Sequence, residues 1–293
     1  MNLVLTVLEI VAPVFLLAAI GFAWTKFGFE YRVAFVTRLA MTLSVPCLIF
    51  VALMETEIDP AALTTLSLAT IAAYAAVTVA IFVLVRIIRA DVRTYLAPLI
   101  FGNTGNLGLP LALFAFGVEG LGYAVVVFAI MAIYSFTFGV WLVAGGNSPM
   151  ATLKEPVTWA TLLGAVFLWN GWSTPVFLTN ALDLVGQMAI PLMLITLGVA
   201  VARFQIKNLS RTAVMALVKA IISIALAWAV GRWFGLPDVA FAVLVLQVST
   251  PVAVTSYLLA EKYGADAEAV AGLVVVSTLL SVLVLPVTLA FLL

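Results

Sequence analysis

Phe101-Gly-Asn-Thr-Gly-Asn-Leu-Gly-Leu-Pro110 is a polar, glycine-rich run set inside a long apolar stretch. Gly102, Gly105 and Gly108 weaken a helix through backbone entropy. Pro110 removes a backbone N–H and crowds the carbonyl one turn earlier. In lipid each unpaired backbone group costs several kcal/mol, so irregular backbone is tolerated only where protein buries it or a cavity solvates it. The run therefore predicts a broken helix at membrane depth, with Asn103, Thr104 and Asn106 as hydrogen-bonding side chains at the break. A second polar run, Gln247-Val-Ser-Thr-Pro251, also lies in an apolar segment and also ends at a proline. Interrupted segments in corresponding halves are the best sequence pointer to the site of a secondary transporter.

Composition supports the bilayer reading. The chain has 293 residues, 66% hydrophobic and 9% charged, with mean hydropathy +1.28. Soluble domains are about 25% charged. Basic and acidic residues balance at 13 each, and no basic tail offers a nucleic-acid footprint. There is one cysteine, Cys47, and no histidine. An intramolecular disulfide, a Cys/His zinc site and histidine acid–base chemistry are thereby excluded. No paired carboxylates occur in the apolar segments, which leaves an intramembrane enzyme few candidates. No cofactor or metal is expected. Met1-Asn2-Leu3 lacks the positive region of a secretory signal, so the first apolar segment is expected to be retained.

A bilayer core of about 30 Å asks for about 20 apolar residues per helix. That ruler predicts ten spans, roughly 4–25, 35–54, 62–85, 94–115, 121–144, 157–172, 183–202, 212–233, 238–259 and 268–292. Loops on one side hold eleven of the 13 basic residues: Lys26, Arg32, Arg38, Arg86, Arg89, Arg93, Lys154, Arg203, Lys207, Arg211 and Lys262. Arg232 lies on the other side and Lys219 inside the eighth span. The basic side is expected to face the cytoplasm, with both termini on the opposite face of a cell (inner) membrane. Glu55, Glu57 and Asp59 fall on that opposite face.

The halves look alike. Ser44-Val-Pro46 and Gly108-Leu-Pro110 interrupt spans two and four; Ala189-Ile-Pro191 and Ser249-Thr-Pro251 interrupt spans seven and nine. Five spans per half, an odd number, send the second half into the membrane from the opposite face. The expected fold class is an all-α membrane protein of ten transmembrane helices. It forms two inverted five-helix repeats, residues 1–144 and 157–293 around a short cytoplasmic connector at 145–156. Broken helices four and nine cross at the midplane.

Each signal has a plainer reading. The glycines do not follow a strand, lack the G-x-G-x-x-G spacing and have no lysine beside them, which speaks against a phosphate loop. Close helix packing through small residues accounts for glycines alone, but not for the asparagines, the proline and the polar run in the other half. Pro46 and Pro191 are either simple kinks or backbone contacts to a substrate. Lys219 has three open readings: an ion pair with Glu9, a place near an anionic substrate, or an ammonium reaching back to the interface. Trp141, Trp159, Trp169, Trp172, Trp228 and Trp233 near span ends suit an interfacial belt.

Asn103 to Pro110, Ile190-Pro-Leu-Met-Leu-Ile-Thr-Leu-Gly198, Pro251-Val-Ala-Val-Thr-Ser256, Tyr263-Gly-Ala-Asp266 and Val276-Ser-Thr-Leu-Leu-Ser281 resemble the auxin efflux carrier family, which has plant and bacterial members. The long cytoplasmic loop of some plant members is absent here. The resemblance implies a fold similar to bile acid transporters and sodium/proton antiporters, and a homodimer. Spans one, two, six and seven would form the scaffold, and spans three to five and eight to ten a moving transport unit. It also implies an organic anion, auxin-like or a small carboxylate, as substrate. Asn103 and Asn106 match the asparagine-bearing part of the family motif, and Gln247 through Pro251 the second crossing.

The expected function is therefore transport of a small organic anion by elevator-type alternating access. Asn103, Thr104, Asn106, Gln247, Ser249, Thr250 and Lys219 are the candidate binding residues, and Gly105, Gly108, Pro110, Pro251, Pro46 and Pro191 the helix breaks. No acidic residue lies near Pro110 or Pro251, which argues against proton antiport. Sodium held by carbonyls and hydroxyls keeps a coupled carrier on the same fold as the alternative.

Overall fold

The computed structural model describes residues 3–55, 60–145, 156–203 and 209–293. Glu57, Asp59, Lys154, Lys207 and nearly all of the expected connector lie outside the described residues. What is described is all α-helical apart from one isolated bridge between two extended stretches.

The helices are α1 (Leu3–Lys26), α2 (Val33–Leu39), α3 (Val45–Met54), α4 (Pro60–Ile87), α5 (Val92–Ile100), α6 (Leu109–Tyr134), α7 (Val140–Val143), α8 (Pro156–Asn170), α9 (Val176–Gln187), α10 (Ala189–Arg203), α11 (Leu209–Trp233), α12 (Asp238–Ser249), α13 (Val254–Tyr263) and α14 (Ala267–Leu292). Single π-helical turns at Ala40–Ser44, Thr104–Gly108 and Ser135–Gly139 join α2 to α3, lead into α6 and join α6 to α7. Among the described residues, six helical stretches are long and apolar enough to cross a membrane, and shorter apolar helices accompany them. This is a multi-pass membrane protein.

The longest stretch, Thr104–Val143, is two arms rather than one rod. Gly117 stands between them at φ 63°, ψ −154°, a conformation that costs little only without a Cβ. Pro46 does not interrupt its segment: the backbone stays helical from Leu39 through Val45. The π-helical turn just before Pro46 absorbs the missing N–H and the ring, as such bulges do at kinks. Helix α9 begins well before the predicted start of span seven, and the turn at Met188 precedes Pro191, which sits in the first turn of α10. Pro191 is thus carried near a helix start, where a proline N–H is not needed.

Packing sorts the helices into two groups. In one, α1 lies along α10, and α3 lies against α8 and α9. Glycines bring these backbones together. A Cβ on Gly198 would overlap the carbonyl of Ala18, and one on Gly21 that of Ile195; one on Gly186 would lie 3.0 Å from the backbone of Leu48. Between apolar helices in lipid, such close approach replaces the absent hydrophobic drive. In the other group, α11 contacts α4, α12 and α14, while α4 contacts α5 and α6.

One end of the molecule is fastened by basic residues on helix C-termini, the arrangement the helix dipole favours. The Arg93 guanidinium donates to the Val143 carbonyl at 2.9 Å and to the Tyr263 carbonyl at 2.9 Å. Lys26 donates to Ala202 O at 3.3 Å, and Arg203 to Tyr31 O at 2.6 Å. Asp91 and Asp266 cap α5 and α14 through Thr94 N at 2.9 Å and Ala269 N at 3.0 Å. Exposed Trp141, Trp159, Trp169, Trp172 and Trp233 present their rings outward. Trp228 instead packs edge-on to Phe241 at 5.0 Å, with Arg232 over both rings.

Candidate functional site

Helix α5 stops at Ile100 and α12 stops at Ser249, both in the protein interior. Phe101 is extended (φ −89°, ψ 116°), and so are Thr250 (φ −54°, ψ 148°) and Ala253 (φ −69°, ψ 138°). Thr250 precedes Pro251, and a residue before proline is pushed out of the helical region by the ring. The two extended stretches pair antiparallel, Gly102 opposite Val252. Asn103 N–H donates to Pro251 O at 2.6 Å, and Ala253 N–H to Phe101 O at 3.4 Å. Val252 N–H donates to Ser277 Oγ on α14 at 3.0 Å. Backbone groups freed by the two breaks thus satisfy one another inside the protein, as membrane depth demands.

Gly102 permits the approach. A Cβ there would collide with Thr250 Oγ1 and lie 3.0 Å from the Thr250 carbonyl. A Cβ on Gly105 would come within 3.0 Å of the Phe128 ring, and Gly108 faces the Gln247 amide. The sequence placed both breaks at prolines, and the structure corrects this for the first. Phe101 to Asn103 form that break, while Gly105 and Gly108 lie in the π-helical turn after it and Pro110 in the first turn of α6. Gly102 and Val252 are therefore the positions that pair across the two breaks.

Three side chains at the break bury polar atoms that have no hydrogen-bond partner. Gln247 is fully buried with both Oε1 and Nε2 unpaired; Asn103 is 5% exposed with Nδ2 unpaired; Thr104 Oγ1 is unpaired as well. An unpaired buried polar group costs about 1–3 kcal/mol. Ser249 and Thr250 do not share this state: Ser249 Oγ donates to Leu246 O at 2.9 Å, and Thr250 Oγ1 to Gln247 O at 2.7 Å. Their hydroxyls finish α12 rather than open toward a ligand.

Lys219 is 1% exposed, and its ammonium donates to the Thr250 carbonyl at 2.7 Å. Glu9 is exposed on α1. The ion pair between them and the ammonium at the interface are both overturned: Lys219 spends its charge on the C-terminal end of α12.

Two small cavities touch the break. One, of about 40 Å³, is lined by Gly102, Asn103, Gly105, Asn106, Phe128 and Thr255 among others; the other, of about 30 Å³, by Thr37, Met41, Asn106, Met193, Thr196 and Thr255 among others. Asn106, Met41 and Thr255 border both. The first turns that follow each break, around Asn106 and Thr255, meet here, so two helix N-termini face one space. A water's share of liquid volume is about 30 Å³, so neither cavity, as it stands, admits an organic molecule. Gln247, Ser249, Thr250 and Lys219 line neither. Larger crevices of about 250 and 400 Å³ lie along α4 and α6, but their walls are mainly aliphatic and aromatic.

Sequence reasoning missed Thr37, Thr196 and Thr255. A threonine in an apolar helix ordinarily bonds a carbonyl one turn back, as Thr196 does to Leu192 O at 2.6 Å, so its spacing gives no signal. Thr196 Oγ1 also lies 2.8 Å from the Tyr31 hydroxyl, in the loop after α1. Burial pushes the Tyr31 phenol above its usual value, partly offset by that hydrogen bond and by the Arg203 charge.

Comparison with known proteins agrees with a transport role. A membrane transport protein family model matches residues 6–151 and 146–289. An uncharacterized transporter of Methanothermobacter thermautotrophicus is 28% identical over 191 residues, 63% of each chain. One of Methanocaldococcus jannaschii is 26% identical over 197 residues, again 63% of each. The chain spans about 63% of the length of these curated relatives. The match over nearly the whole sequence means that the chain belongs to the membrane transport protein family, that of the auxin efflux carriers.

Proposed function

We propose that this protein carries a small organic anion, with a carboxylate as the recognised group, by elevator-type alternating access. The observation that carries the reading is the paired break. Two helix N-termini, each worth about half a positive charge, face a shared space bordered by Asn106 and Thr255. Anions bind such ends without a fixed cation. Asn103, which borders it, and Thr104 and Gln247 elsewhere at the break hold unpaired polar atoms in reserve.

The ten-span, inverted-repeat arrangement accounts for this geometry. Segments α5 with α6 and α12 with α13 are then spans four and nine, and Gly117 turns the chain from span four into span five. The α1–α10 and α3–α8–α9 group would be the scaffold of a homodimer, and the group around α11 and α12 the moving unit. The wall of the smaller cavity fits that division: Met193 and Thr196 come from α10 of the first group, and Asn106 from the turn leading into α6 of the second. Basic residues on helix C-termini at one end suit a cytoplasmic face, with both termini opposite.

The test is uptake and export by purified protein in liposomes, with acetate, benzoate, indole-3-acetate, malate and succinate as probes. Gradient-driven flux of at least one, lost in Asn103→Ala and Asn106→Ala, is the expected result. Flux and binding intact in both variants would overturn the site. Coupling to sodium or protons on the same fold is the second reading, and a strict requirement for either gradient would establish it.

A further inference from the structure

We infer that Lys219 is a tethered cation, built into the position where an ion-coupled carrier would hold a sodium ion. The inference rests on the proposed transport site and adds how that site manages charge. The C-terminal end of an interrupted helix carries partial negative charge, and at membrane depth such ends and unwound carbonyls coordinate cations. In this protein α12 ends in that way at Ser249, inside the protein. The group that reaches it is the Lys219 ammonium, 2.7 Å from Thr250 O.

Three further facts fit an internal counterion. No acidic side chain among the described residues is paired with Lys219, so its charge is directed at backbone rather than at a carboxylate. Ser223 lies one helical turn along the same face of α11, fully buried, with its hydroxyl unpaired. Thr250 is one residue before Pro251, whose carbonyl accepts from Asn103. Lys219 therefore grips the strand that pairs the two breaks, and acts as a positioning residue for the site rather than as a ligand-binding one. Because the cation is covalently attached, the break needs no ion from solution, and transport proceeds without sodium.

The test follows thermal stability of purified protein in detergent at constant ionic strength, exchanging choline for sodium or methylammonium. It needs no substrate. Wild type melts at the same temperature in all three salts. Lys219→Ala melts several degrees lower in choline and recovers part of the loss in methylammonium or sodium, which fit the vacated space while choline does not. Lys219→Met, which refills the stem without charge or room, melts low in all three. Sodium-dependent stability of the wild type, or an alanine variant that no small cation rescues, overturns the inference. Should Lys219→Ala fail to fold, the wild-type salt comparison decides, since stabilisation by sodium contradicts a site already filled. Carboxylate-induced stabilisation of the wild type is read separately. Its absence would count against the anion reading and leave the cation test standing.

Discussion

Gly108 lies so close to the Gln247 amide that a methyl group on Gly108 would overlap Gln247 Oε1. The two residues come from opposite halves of the chain, and their contact fixes the turn after the first break against α12. Gly108→Ala should therefore destabilise the protein, by about 1–3 kcal/mol as overpacking typically does. Gln247→Ala in the same chain should relieve part of that loss. A double-mutant cycle in thermal melts should show coupling of about 0.5–3 kcal/mol. Additive effects would mean that the amide swings aside freely.

Unpaired polar atoms at the break predict a trade between stability and transport. Thr104→Val and Gln247→Met keep shape and remove the unpaired groups. Replacing such groups by apolar isosteres is nearly neutral or stabilising. Both variants should melt at or above the wild-type temperature while anion flux in liposomes falls at least tenfold. Side chains that merely hold the fold would show the reverse, lower melting with flux per folded molecule unchanged.

The α1–α10 seam depends on Gly198. Its Cβ would overlap Ala18 O and lie 2.9 Å from Phe22 N, backbone atoms on a packed helix that cannot swing away. Gly198→Ala is expected to lower stability by about 1–3 kcal/mol, and Gly198→Val to prevent recovery of folded protein. Size-exclusion profiles and melts of the detergent-purified variants check both.

Arg93 ties the ends of α7 and α13 to the start of α5. Hydrogen bonds from charged groups contribute about 1.5–3 kcal/mol. Arg93→Ala should cost about that much, and Arg93→Lys should recover only part, because a point ammonium lacks the planar fork that reaches two carbonyls at once. Hydrogen exchange near Val143 and Tyr263 should rise in both variants, more in the alanine form.

Several particulars show how far residues alone carried the reading. The polar runs at 101–110 and 247–251 were legible because hydrophilic, helix-breaking residues are costly in lipid and stand out there. That the break within the first run would fall at Phe101 to Asn103, with Pro110 in a helix start, was not legible. The first break is held by a hydrogen bond to Pro251 O, some 150 positions away in the chain, and no local propensity encodes a partner so distant. Lys219 was visible as an anomaly, but its partner is a backbone carbonyl, which every residue possesses and no sequence marks.

The sequence by itself determined the solvent. With two thirds of its residues apolar and few charges, the chain belongs in a bilayer, where helices must satisfy their own backbones and any exception is confined to the interior. Which exceptions meet was decided only by tertiary structure. Glycines without a Cβ let the strands through Gly102 and Val252 come within hydrogen-bonding reach, and that contact chose Asn106 and Thr255, rather than Ser249 and Thr250, to border the central space.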